Sequence, residues 1–129
     1  MNNSEIMIRH RVCNQGGIRK SNATESFVLI INFKVEKYNR DSIGAFEIDY
    51  MGAFTKGKMI QEMTRMNKAL ADTTWDLHVY SRRDGPNLVY DYWGVYKRHS
   101  APVFINNVYM YKLRKVTPEM TYDFESFEY

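Results

Sequence analysis

The stretch Ser26-Phe27-Val28-Leu29-Ile30-Ile31-Asn32-Phe33-Lys34-Val35-Glu36 constrains the chain more than any other. Its odd positions, Phe27, Leu29, Ile31, Phe33 and Val35, are all apolar, while its even positions pass from Val28 and Ile30 to Asn32, Lys34 and Glu36. Successive side chains of a strand point to opposite faces, so the run predicts a long central strand with one wholly buried face. Burying five such side chains is worth about 1.5–3 kcal/mol each before chain entropy is subtracted.

The rest of the chain arranges itself around that strand. Glu5 to Val12 reads as a short first strand, with Ile6, Ile8 and His10 on one side and Met7, Arg9 and Arg11 on the other. Asn14-Gln15-Gly16-Gly17 marks a turn, and residues 18–25 read as a polar loop leading into the central strand. Asn39-Arg40-Asp41-Ser42 closes it, and Ile43 to Met51 follows as another strand, with Phe46, Ile48 and Tyr50 opposed to Glu47 and Asp49. Thr55 is read as the N-cap of one helix over roughly residues 56–71, where Met59, Ile60, Met63, Met66 and Leu70 recur at helical spacing. Its methionines are read as core filling. Trp75, Leu77 and Val79 then alternate with Asp76, His78 and Tyr80. Arg83-Asp84-Gly85-Pro86-Asn87 makes a tight connection, and Leu88 to Lys97 returns as the second arm of a hairpin. Val103 to Arg114 supplies one or two last strands, with Asn106-Asn107 as a turn. The expected architecture is a single α+β domain over residues 1–129. It has a mostly antiparallel sheet of about six strands, in the order β-β-β-α-β-β-β, and one amphipathic helix packed on one face. The tail over residues 118–129 has Glu119, Asp123, Glu125 and Glu128, no basic residue, and four aromatic rings, so it is expected to dock on the domain.

Composition narrows the function classes. A length of 129 residues fits one domain with a real core, and a net charge of +3 permits an acidic partner without demanding one. One cysteine, Cys13, excludes an internal disulfide framework and a cysteine-based zinc knuckle. No 18-residue apolar run exists and the N-terminus lacks a secretory pattern, so a cytoplasmic location, or a virion assembled there, is expected rather than secretion or membrane insertion.

Tyrosine makes up ten of the nineteen aromatic residues, the others being seven Phe and two Trp, and the tyrosines interleave with cations in three segments: Tyr80 to Arg83, Tyr92 to His99, and Tyr109 to Lys115. Interfaces favour Tyr, Trp, Met and Arg. The first expectation is therefore a non-enzymatic interaction protein, a small assembly subunit that meets other protein subunits as a homo- or hetero-oligomer, a viral or phage particle component being one form. Its surface would comprise Tyr92, Trp93, Tyr96, Lys97, Arg98, Tyr109, Tyr111 and Arg114. The alternative is a single-stranded nucleic-acid binder in which bases stack on rings and phosphates meet Arg82, Arg83, Arg98 and Lys112, with Tyr96 among the rings. A third is a metal-dependent hydrolase or nuclease centred on Glu47 and Asp49, two positions apart on one strand face. His10, His78 and His99 have no metal-ligand spacing, and no serine elbow or phosphate-cradling glycine loop occurs, so no cofactor, resident metal or small-molecule substrate is expected.

Overall fold

The computed structural model describes residues 2–13, 16–32, 46–55, 57–82 and 89–116. Among these, two helices and seven strands follow in order: α1 (Asn3–His10), β1 (Ile18–Ser21), β2 (Ser26–Asn32), β3 (Glu47–Met51), α2 (Arg65–Asp72), β4 (Asp76–Arg82), β5 (Tyr90–Arg98), β6 (Val103–Ile105) and β7 (Val108–Lys115). They form one sheet in the order β1-β2-β4-β5-β7-β3, with β6 also paired to β7. Five of the six strand pairings among the described residues are antiparallel, as expected. The exception is β2 with β4, which run parallel from Ser26 opposite Asp76 to Asn32 opposite Arg82. A parallel pair needs a long crossover, and the segment carrying β3 and α2 supplies it.

The expected central strand is β2, but both of its faces are covered. Phe27, Leu29 and Ile31 enter the main core with Leu77, Val79, Trp93, Tyr96, Tyr111 and Leu113. Val28, on the other face, joins Ile6, Val12, Tyr80 and Tyr90. That second layer exists because residues 3–10 form a helix, not the first strand that their alternation suggests. A capping box decides it: Glu5 N–H donates to Asn2 Oδ1 at 2.8 Å, and Asn2 N–H donates back to Glu5 Oε1 at 3.0 Å. Ile6 and His10, four residues apart, then share the buried side of α1. The expected polar loop 18–25 is also partly a strand. Ile18–Ser21 pair with β2, and buried Arg19 ties them to α1 by donating from its Nη1 to Asn3 Oδ1 at 2.7 Å.

The helix expected over 56–71 shrinks to Arg65–Asp72, preceded by Thr64 rather than Thr55. Two buried carboxamides account for the difference. Gln61 donates from Nε2 to the Gly52 carbonyl at 2.7 Å and accepts from the Tyr109 N–H at 2.7 Å. Asn67 brackets Ala53, accepting from its N–H and donating to its carbonyl, each at 2.8 Å, and also donates to the Glu62 carbonyl at 2.9 Å. These bonds anchor Gly52 and Ala53 to Gln61 and Asn67, so the helix begins only beyond Gln61. Gly52 is fitted to them: a Cβ there would lie 2.7 Å from Asn67 Oδ1. The methionine stripe is divided in consequence. Met66 packs on the core, whereas Met59 is 88% exposed on the loop.

Two further features shape the sheet. Tyr50, on edge strand β3, donates its hydroxyl to the Gly17 carbonyl at 3.1 Å, just before the opposite edge strand β1, so the sheet curls and its two edges meet. Asn106 and Asn107 take φ of 51° and 67° and form the expected two-residue turn between β6 and β7. Phe33, Val35, the turn at 39–42, Lys56, the connection 83–87 and the tail 118–129 lie outside the described residues.

Asn67→Ala strands two backbone groups of Ala53 and one of Glu62. Loss of about 2–3 kcal/mol of stability is expected, read as a lowered urea midpoint at unchanged slope. A change below about 0.5 kcal/mol, the range of an ordinary surface substitution, would refute the clamp.

Candidate nucleic-acid interface

The face of the sheet that carries α1 also carries a row of accessible cations. The register sets Lys97 beside Arg114, and Arg114 opposite Glu47. Lys97 pairs with Asp76 at 2.8 Å and Arg114 with Glu47 at 3.0 Å, so a row Asp76, Lys97, Arg114, Glu47 crosses four strands with its two cations at the centre. Both pairs are half-exposed, where such contacts contribute little to stability and leave the charges open to a partner. Arg114 also lies over the exposed Phe46 ring at 5.7 Å. Arg98 and Arg114 each have a buried Nε with no hydrogen-bond partner among the described residues, an arrangement uncommon for a guanidinium. Lys112 is exposed on β7, opposite Asp49.

Farther along the same face, four rings pack together under α1. His10 Nε2 and the Tyr80 hydroxyl share a 2.7 Å hydrogen bond, and His78 Nδ1 and the Tyr92 hydroxyl share one of 3.0 Å. The two imidazoles lie 4.3 Å apart and the two phenols 4.9 Å apart. Burial disfavours a charged imidazole, and His78 and Arg9 add repulsion, so the His10 pKa falls to about 4. The His78 pKa is lowered as well, chiefly by burial, with Asp76 opposing. Burial raises Tyr80 and Tyr92. His78 is thus half-buried and held by Tyr92 and His10, while the Asp76 carboxylate pairs with Lys97.

The sequence-derived surface is divided by the fold. Trp93 is 2% exposed and donates to Ser81 Oγ at 2.8 Å, and Tyr96 and Tyr111 are completely buried, with Tyr111 donating to the Asn67 carbonyl at 2.7 Å. These three belong to the core and present nothing to a partner. Burial pushes the Tyr96 pKa up to about 12. Tyr92 is 44% exposed, and Lys97 and Arg114 keep accessible surface on the same face, whereas Arg98, paired with Leu113, and Tyr109, packed on the main core, lie on the opposite side of the sheet. Arg82 stands at the far end of β4, five residues beyond the Leu77–Tyr96 pair, or roughly 16 Å at strand rise, so it is apart from Arg98 and Lys112. Arg83 lies outside the described residues. Of the carboxylates of the third reading, Glu47 is engaged by Arg114, and among the described residues no group of three or more His, Cys, Asp or Glu is placed to hold a metal. Cys13 is exposed. No helix among the described residues is long and apolar enough to cross a membrane.

The described residues, mostly β with two helices and a single seven-stranded sheet, have the fold of the SRA domain. The SRA domain of SUVH5 in complex with hemi-methylated CG DNA superposes with a TM-score of 0.65 over 90% of this chain and 84% of that one, at 18% identity. KRYPTONITE in complex with mCHH DNA, an H3(1-15) peptide and SAH gives 0.63 over 89% of this chain and 30% of that one, at 18% identity. SUVH6 of Arabidopsis thaliana in complex with SAM gives 0.57 over 90% and 23%, at 16% identity. Neither a protein-family model nor a curated protein sequence matches the chain. These neighbours are not particle components, and the assembly-subunit expectation gains no support from them.

The histidine pair predicts an acid-sensitive fold. Both folded pKa values lie below the ordinary 6.5, so the unfolded chain binds more protons and stability falls as pH drops. Stability should be full above pH 6.5 and decline between 6.5 and about 4, the value to which His10 is lowered. His10→Gln should flatten that decline in a pH series of thermal midpoints. An unchanged profile would place the acid sensitivity elsewhere.

Proposed function

We propose that this chain is a nucleic-acid-binding module that contacts DNA through its cationic sheet face. The carrying observation is the fold: it covers nine-tenths of the chain and is shared with SRA domains solved on methylated DNA. Support comes also from the face itself. Lys97, Lys112 and Arg114 give phosphate-directed charge, and Tyr92 adds a partly exposed ring. Met59, the most exposed large apolar side chain among the described residues, stands next to Lys58, a pairing suited to an apolar wedge between base steps. By analogy with the neighbours, the preferred ligand is a duplex carrying methylated cytosine.

The test is fluorescence anisotropy with a labelled duplex, hemi-methylated at one CG or unmodified, at several salt concentrations. Binding should weaken linearly in log salt, with a slope of about 0.9 per phosphate neutralised. The Lys97→Gln/Lys112→Gln double variant should bind roughly tenfold more weakly and lose about two units of that slope. Absence of binding at low salt would sink the proposal. Equal affinity for the two duplexes would retain DNA binding and remove the preference for methylation.

A further inference from the structure

On the core side of the sheet, where β1 and β2 meet the end of α2, a cleft of about 370 Å³ opens to solvent. Its lining includes Lys20, Phe27, Asp72, Thr73, Thr74 and Trp75. Its volume lies within the range of small-ligand sites, roughly 300–1,000 Å³. Trp75 is half-buried: its ring leans on Phe27 at 5.9 Å, and the Lys20 ammonium lies 5.6 Å from its centroid. Thr73 Oγ1 accepts from the Trp75 N–H at 3.0 Å, which fixes the turn carrying the indole. A partly exposed indole with a flexible ammonium above it suits a flat aromatic group that bears a negative charge.

The electrostatic balance favours an anion over a cation. Asp72 is engaged by Lys68 at 3.0 Å, which offsets its charge and leaves Lys20 as the cation of the lining. The cleft is also continuous with the cationic face. Lys97, the first cation of the row, donates to the carbonyl of Thr74 at 2.9 Å, and Thr74 lines the cleft. A phosphate backbone following Arg114 and Lys97 around the end of the sheet would reach Trp75 next.

We infer that the Trp75–Lys20 cleft binds an unpaired nucleotide, its base stacked on the indole of Trp75 and its phosphate on the ammonium of Lys20. Base–aromatic stacking tolerates any base, so the site gives affinity rather than sequence preference. The inference rests on the nucleic-acid reading for its ligand class, but it has a readout of its own. The chain holds two tryptophans, Trp75 and the 2% exposed Trp93, so a stacking ligand reports on Trp75 alone.

The experiment titrates the full chain with a labelled eight-residue oligothymidylate and, separately, with thymidine monophosphate, following tryptophan emission throughout and anisotropy for the oligonucleotide. Quenching by the oligonucleotide of up to about half the emission is expected, together with its loss in Trp75→Leu. Lys20→Glu, at an exposed position that leaves the core intact, should weaken the quenching titration about fivefold or more. Oligonucleotide that raises anisotropy while emission stays constant overturns the site and leaves nucleic-acid binding standing. Quenching by the mononucleotide that is sensitive to Lys20→Glu, without any binding of the oligonucleotide, supports the cleft as a nucleotide site and counts against the nucleic-acid module. Quenching unchanged in Lys20→Glu overturns the assignment of the phosphate.

Discussion

Two buried amide side chains hold this fold to its shape. Gln61 and Asn67 satisfy backbone groups of Gly52, Ala53, Glu62 and Tyr109 that the sheet leaves without partners, and Tyr111 closes the arrangement from below by bonding the Asn67 carbonyl. Buried polar groups are tolerated only when satisfied, so these residues dictate where helix α2 begins. Everything that depends on the position of α2 follows: the burial of Leu70, the packing of Met66, and the cleft between the end of that helix and Trp75.

The features legible in the sequence were those set by period and turn chemistry. The alternation of Phe27, Leu29 and Ile31 marked the central strand, the Asn106-Asn107 pair marked a hairpin, and the run around Trp75 to Lys97 marked two antiparallel arms. The features missed were set by contacts distant in sequence. Residues 5–12 alternate like a strand, yet Asn2 and Glu5 carry a capping signal that outweighs it locally, and the even face of β2 needed a cover that only a helix there provides. Helical spacing from Met59 onward was real, but Gln61 bonds to Gly52 and Tyr109, 9 and 48 residues away, a constraint that no local window contains.

The candidate site was legible in part for the same reason. Residue types identified the cationic and aromatic strands, but period alone did not say which ring of Tyr92, Trp93 and Tyr96 faces outward. The register between β4 and β5 shifts between Val79 and Tyr80, and opposite that shift Gly94 takes a φ of 123°. The irregularity puts Trp93 into the core and leaves Tyr92 on the outer face with His78, a parity change that an alternating pattern does not foretell.

The parallel pairing of β2 with β4 has a kinetic meaning. Ser26 and Asp76 lie opposite one another although 50 residues separate them (76 − 26), while the hairpin pairs β1–β2 and β6–β7 join neighbours along the chain. Closing so long a loop costs entropy before the contact returns any stability, so local hairpins form first and the β2–β4 seam is a late event. Until it closes, Val28, Leu29 and Ile31 line a strand whose unpaired edge is open to other chains. The fold's most apolar segment is therefore also the one that nascent or partly unfolded molecules leave open to aggregation.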